Sequence, residues 1–139
     1  MTSIDVDETN TSYRSIDGIL YDYNCTRLIA CPVKKSSITV PDSLITIEGY
    51  ACYRCRELTS IKLSDNVTTI GEYAFYDCAL TSITLPDSLT TIGEYAFSYN
   101  NLTSIQIPAS VTFIGGHIVS GCSGMMSIDV DANNTNYKS

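Results

Sequence analysis

The chain has 139 residues, 44% of them hydrophobic and 17% charged, which is the length of one domain and excludes a disordered or highly charged polymer. No apolar run approaches the ~20 residues a membrane helix needs, and residues 1–20 lack a basic start followed by an apolar core, so neither a membrane span nor a secretory signal is legible. The formal net charge of −7 is uneven: residues 63–137 carry Asp65, Glu72, Asp77, Asp87, Glu94, Asp129 and Asp131 with no Lys or Arg, a field that repels phosphate backbones and anionic lipid heads and argues against nucleic-acid and membrane partners.

In chain order, residues 1–35 form a segment of their own. Residues 19–33, ILYDYNCTRLIACPV, predict a β-hairpin: Ile19–Tyr21, a turn near Tyr23–Thr26, then Leu28–Cys31. This hairpin is expected to cap the first coil of the array that starts at residue 36.

From residue 36 to 124 the sequence repeats itself four times. Ile38, Ile61, Ile83, Ile105 and Ile128 are spaced 23, 22, 22 and 23 apart. The copies SITVPDSLITIEGYACYRCRE (37–57), LTSIKLSDNVTTIGEYAFYDCA (58–79), LTSITLPDSLTTIGEYAFSYNN (80–101) and LTSIQIPASVTFIGGHIVSGCSG (102–124) align throughout. In Leu80–Leu85 apolar Ile83 and Leu85 alternate with Ser82 and Thr84, as in a half-buried strand. Parallel strands are therefore expected near 37–40, 60–63, 82–85, 104–107 and 127–130, in one sheet. Pro86, Asp87 and Ser88 turn the chain, and Leu89–Ile92 give a second short extended segment. Gly93 then permits a bend, and Glu94 onward predicts one helical turn with Ala96 and Asn100 on one face. A period in this range headed by L-x-x-I-x-L is the leucine-rich-repeat signature. One such coil cannot bury enough apolar surface to stand alone, so stacking must complete it.

Residues 125–139 begin a further repeat. SIDVDANNTNYKS (127–139) matches SIDVDETNTSYRS (3–15) at nine of thirteen positions. The chain thus holds one long period and the start of the next, and a piece of a longer array is expected. The C-terminal end, with no helix or hairpin to cover the coil around Ile105 and Ile114, is expected to self-associate. A closed two-fold dimer through Ile118–Val130, with Met125 and Met126 as apolar contacts, is preferred over an open head-to-tail stack.

The spacing carried by Leu80, Ile83, Leu85, Pro86, Leu89, Ile92, Gly93, Ala96 and Phe97, with Cys55, Cys78 and Cys122 at its end, resembles the BspA-like, or treponemal, class of leucine-rich repeat. Asn100 stands where the pattern has cysteine, and Gly116, His117 and Val119 also depart from it. The resemblance implies a right-handed α/β solenoid with short parallel strands and short helical turns. It also implies secreted or surface-attached proteins of bacteria and protozoa, some of them adhesins for host matrix or plasma proteins.

Candidate chemistry is sparse. Cys52 and Cys55 form a C-x-x-C, but Cys52 falls in the column of Phe75 and Phe97 and Cys55 in that of Cys78 and Cys122, which predicts buried thiols rather than a redox or zinc site. Cys25 and Cys31 flank the hairpin turn and are better disulfide candidates than the column cysteines, though free thiols remain the preferred reading for them as well. Asp5, Asp7 and Asp129, Asp131 give D-x-D without the Gly and Glu of an EF-hand, so solvated turns are expected. His117, alone of its kind, falls in the column of Tyr50, Tyr73 and Tyr95, and no serine is singled out as its partner. No catalytic residue, metal site or cofactor is expected. The sequons at Asn10, Asn24, Asn66, Asn101 and Asn133 matter only if a eukaryote exports the chain.

Two surfaces remain as partner-binding candidates. One is the tyrosine column Tyr50, Tyr73, Tyr95, with Tyr53 and Tyr76 beside it; packing against neighbouring coils is the competing reading. The other is the strand face, Ser60, Lys62, Ser82, Thr84, Ser104 and Gln106, which reads as a flat polar sheet without a pocket. The expected function is non-enzymatic recognition of a protein or glycan at the cell surface; the alternative is a structural, self-associating array.

Overall fold

The structure is a computed structural model describing residues 1–139. Its elements are all strands: β1 (Tyr13–Ile16), β2 (Ile19–Asp22), β3 (Arg27–Ala30), β4 (Ser37–Thr39), β5 (Thr46–Ile47), β6 (Ser60–Lys62), β7 (Thr69–Ile70), β8 (Thr91–Ile92), β9 (Ser104–Ile107), β10 (Phe113–Ile114) and β11 (Ser127–Val130). They wind into a leucine-rich-repeat β-solenoid.

The expected helical turns are absent, and the reason lies in where the backbone donors go. Tyr73, Phe75 and Asp77 donate their N–H groups to Glu94, Ala96 and Ser98 of the next coil. Tyr95, Phe97 and Tyr99 do the same to Gly116, Ile118 and Ser120. Only the intervening N–H groups, such as those of Ala74 and Tyr76, close local bonds three residues back. A helix needs every donor internally. The alternation instead produces linked turns, with left-handed residues at Tyr50, Tyr73, Tyr95 and His117 and again at Arg54, Asp77 and Tyr99.

The expected hairpin cap is present and larger. β2 and β3 pair antiparallel, and β1 adds a third strand across Asp17 and Gly18, whose φ values of 50° and 74° suit a tight hairpin turn. Asp22 fastens the β2–β3 turn by accepting from the N–H groups of Thr26 and Arg27 and from the Thr26 hydroxyl. Partial burial opposes its ionisation, but these hydrogen bonds outweigh it and hold the carboxyl below its usual range. β3 then joins the solenoid by pairing parallel with β5.

The continuous sheet is not the expected one. The second, shorter segments carry it, in the order β1-β2-β3-β5-β7-β8-β10. On the strand face Ile38 pairs with Ile61 and Ile105 with Ile128, but residues 82–85 form no strand, so the expected single sheet is two pairs, β4–β6 and β9–β11. Both pairings join residues 23 apart, whereas Ile83 lies 22 from each neighbour. The missing residue sits in the connector. Cys78-Ala79-Leu80 and Asn100-Asn101-Leu102 have one residue where Cys55-Arg56-Glu57-Leu58 has two, and these shorter connectors flank the stretch 82–85 that leaves the ladder.

The core runs through the stack as columns: Leu58, Leu80, Leu102; Ile47, Ile70, Ile92; Ala74, Ala96; and Phe75 over Phe97 at 5.8 Å, all buried. Ile61 and Ile105 are buried and Ile83 packs against the same core, so the register expected from the sequence holds. Gly93 does not serve a bend. Its φ is unremarkable, but a Cβ there would lie 2.4 Å from the backbone N of Glu72, and Gly71 and Gly115 face the same obstruction. Glycine marks the line along which successive coils touch backbone to backbone.

The C-terminal coil is also better covered than expected. β11 lies on β9, Asn134 is buried, and the Tyr137 hydroxyl accepts from the Ile114 N–H at 2.9 Å. Ile105 is fully enclosed, while Met126 (84% exposed), Phe113 and Ile128 remain at the surface.

Candidate functional site: an aromatic ladder and an opened strand face

The turn face carries seven aromatic rings. Tyr50, Tyr73, Tyr95 and His117 stack at 5.0 Å per step, with interplanar angles of 9°, 16° and 18°. Beside them Tyr53 stacks on Tyr76 at 5.3 Å, and Tyr76 meets Tyr99 at 5.2 Å, tilted by 57°. Cross contacts between Tyr50 and Tyr53, and between Tyr73 and Tyr76, tie the two columns together. The predicted residues Tyr50, Tyr73 and Tyr95 are thus one contiguous surface. Tyr99 escapes a reading of the sequence because Ser98 holds its column; from one residue on, the Tyr99 ring meets Tyr76 in its place.

Left-handed backbone at Tyr50, Tyr73, Tyr95 and Tyr99 costs about 1–3 kcal/mol each, and each stacked pair returns about 0.5–1.5 kcal/mol. The rings therefore offset strain that the turns impose. Their faces are used in stacking, so the ladder presents edges and hydroxyls. None of these hydroxyls has a hydrogen-bond partner within the chain, unlike that of Tyr137. Desolvation, followed by the neighbouring phenols and acids, raises Tyr73 and Tyr76 above the ordinary phenol range, so both are neutral donors at physiological pH. Arg54 lies over Tyr53 at 5.2 Å, and Arg56 pairs with Asp77 at 2.6 Å, which places an ion pair on the rim.

On the strand face, Ser60 and Lys62 lie on β6, apart from the rest. Ser82, Thr84, Ser104 and Gln106 come together where the ladder opens, lining a groove of about 490 Å³ with Asp87, Asp129 and Asp131. The expected flat sheet without a pocket is corrected here: the 22-residue coils open one. Asp129 accepts from the Ser127 hydroxyl and Asp131 from the Asn133 N–H, as turn-forming carboxylates do. No cluster of three or more His, Cys, Asp or Glu is placed to hold a metal ion.

All six cysteines are buried and none is paired, Cys25 and Cys31 included. The Cys55 column has a definite task. Cys78 Sγ donates to the Cys52 carbonyl at 3.0 Å and Cys122 Sγ to that of Phe97 at 3.3 Å. Asn100 keeps the pattern with an amide: its Nδ2 donates to Phe75 O at 2.7 Å and Phe97 O at 2.9 Å, and its Oδ1 accepts from Leu80 N–H. Burial pushes the Cys78 thiol up to about 12, so it stays protonated and donates. Cys55 Sγ donates to the Cys31 carbonyl at 3.8 Å beneath the cap; the neighbouring Cys31 and Cys55 thiols, together with burial, hold Cys52 well above the ordinary thiol range. His117, stacked on Tyr95, meets Ser120 Oγ at 3.3 Å through Nδ1 and no carboxylate.

The profile of the BspA-type leucine-rich-repeat region matches residues 30–139, in six copies. The chain belongs to that family. No curated protein matches it significantly. Among solved structures it is similar to the pneumococcal vaccine antigen PcpA, with a TM-score of 0.89 and 29% identity over 95% of this chain and 34% of that one. It is also similar to a leucine-rich repeat protein from Bacteroides ovatus, with a TM-score of 0.67 and 27% identity over 84% of this chain and 31% of that one. A Eubacterium ventriosum leucine-rich repeat protein shares the fold, at a TM-score of 0.78 and 22% identity over 96% of this chain and 37% of that one. The chain spans about a third of the length of each.

Proposed function

We propose that this family member is an adhesin-like recognition module, displayed outside the cell, that binds a protein through the tyrosine ladder. The observation that carries the reading is the two-column array of rings whose hydroxyls have no partner in the chain. Tyrosine supplies contact area at low entropic cost, and here the side chains are already ordered by stacking, so less freedom is lost on binding. A sugar would need an open ring face, and stacking has closed all but those at the column ends; a protein surface can use edges and hydroxyls. Similarity to a vaccine antigen supports surface display.

The opened groove favours a second reading, a glycan held by Ser82, Thr84, Ser104 and Gln106 with the flanking aspartates accepting its hydroxyls. The structural alternative, an array that binds chiefly its own copies, is supported by the long internal repeat. Surface plasmon resonance against purified matrix and plasma proteins, together with a glycan array, separates these readings. The expected result is binding to a protein that Tyr73→Ser/Tyr95→Ser weakens at least tenfold and Ser104→Lys leaves unchanged. The opposite pattern would move the site to the groove, and no binding to either panel would sink the recognition reading.

A further inference from the structure

The two copies of the SIDVD segment share the same turns but meet different surroundings. In both, the Asp carboxylate at position 7 or 131 accepts from the N–H two residues on, at 2.8 Å. In both, Asn10 or Asn134 closes the next turn: Asn10 Oδ1 accepts from Ser12 and Tyr13, and Asn134 Oδ1 from Asn136 and Tyr137, at 2.8 and 2.9 Å in each case. The backbone bond from Asn10 to Asp7 has its twin from Asn134 to Asp131, each 2.9 Å.

What differs is the outer half of each contact. Asn134 is 6% exposed, and its Nδ2 donates to the carbonyls of Pro108 and Val111, at 2.9 and 3.1 Å, in the preceding coil. The Tyr137 hydroxyl caps the Ile114 N–H on β10. Asn10 is exposed with no acceptor for its Nδ2, and Tyr13 is 48% exposed on β1, the outermost strand of the long sheet, whose opposite edge is β10. The segment is nonetheless preformed, held to the cap by Ile4 N–H on Gly18 O and Val6 N–H on the Ser15 hydroxyl.

We propose that residues 3–13 are a docking face for the coil 102–114 of a second copy of this chain, seated as residues 127–137 are seated on their own coil. Asn10 Nδ2 then takes the Pro108 and Val111 carbonyls, the Tyr13 hydroxyl takes the Ile114 N–H, and β1 continues the long sheet from the second copy's β10. Within these 139 residues the coil is already filled by residues 127–137, tethered at high effective concentration, so docking of a second copy requires that this plug be displaced. The contact joins unlike surfaces, so it propagates head to tail and does not close as a two-fold dimer.

Weakening the internal plug tests this. The 139-residue chain carrying Asn134→Ala/Tyr137→Phe is expected to gain mass in steps of one chain as concentration rises in light scattering, and adding Asn10→Ala/Tyr13→Phe to the same chain should return it to monomer. A plug variant that stays monomeric at the highest concentration, or association that survives the Asn10 and Tyr13 changes, overturns the proposal. A covalent tandem, residues 1–126 running directly into residues 3–139, tests the same contact without weakening any residue. There Asn10→Ala in the second copy should lower the melting temperature as much as Asn134→Ala lowers that of the single chain. An unchanged melting temperature overturns it.

Discussion

At the scale of single residues, the columns of the repeat are defined by what the neighbouring coil's backbone needs. The final cysteine of the motif donates a hydrogen bond to a carbonyl one coil back, and Asn100 does this and also accepts from Leu80. Leaving those buried groups without partners costs about 1–3 kcal/mol. Asn100→Ala should therefore destabilise by that amount in chemical denaturation. Asn100→Cys should fall between it and wild type, because the thiol restores the donor and not the acceptor. Equal losses for the two substitutions would mean that the column selects for size alone. This role was legible only in part: the shared column told of burial, but a run of cysteines looks like filler until the carbonyl above each is seen.

At the scale of the elements, one residue in a connector decides whether a strand forms. Ser82–Leu85 alternates as cleanly as Ser104–Ile107, and only the latter is a strand. Local pattern sets which side chains face inward, but ladder formation needs the neighbouring chain at the right distance, about 4.8 Å. Inserting one residue between Cys78 and Leu80, and another between Asn100 and Leu102, is expected to extend the ladder through 82–85 and narrow the groove. Hydrogen exchange reads this as slowed amides at Ile83 and Leu85; unchanged rates would show that connector length is not the cause. The helical turn failed for a related reason. The apolar spacing in Glu94–Asn100 satisfies a helix and a pair of turns alike, and the demand of the next coil for alternate N–H groups chose the turns.

At the scale of the whole molecule, each coil touches only its neighbours, so stability is a sum of nearest-neighbour contacts. Phe75 over Phe97, both fully buried, is one such contact in the middle of the stack. Phe97→Ala should cost about 3–5 kcal/mol and divide the solenoid unevenly. Amides from 102 to 137 should lose protection more than those of β2, β3 and β5, which keep the cap and the buried thiols beneath it. Uniform loss across the chain would show a single cooperative unit instead. The acidic, lysine-free stretch from 63 to 137 is a property at this scale too. It puts Asp87, Asp129 and Asp131 around the groove and leaves the ladder's few arginines at the cap end.

The sequence by itself determined the solenoid, its period, the inward columns, the cap and the tyrosine surface, because each follows from side-chain spacing within one coil or from the coil's recurrence. Even the long repeat linking residues 3–15 to 127–139 is written there. Tertiary structure alone decided which face carries the continuous sheet, where the strand face opens into a groove, why glycine recurs at 71, 93 and 115, and that Tyr99 joins the ladder. It also decided that Asn134 is buried while Asn10, in the same local turn, is not. These depend on the distance between backbones of adjacent coils, a quantity shared between two stretches of chain and encoded in neither alone.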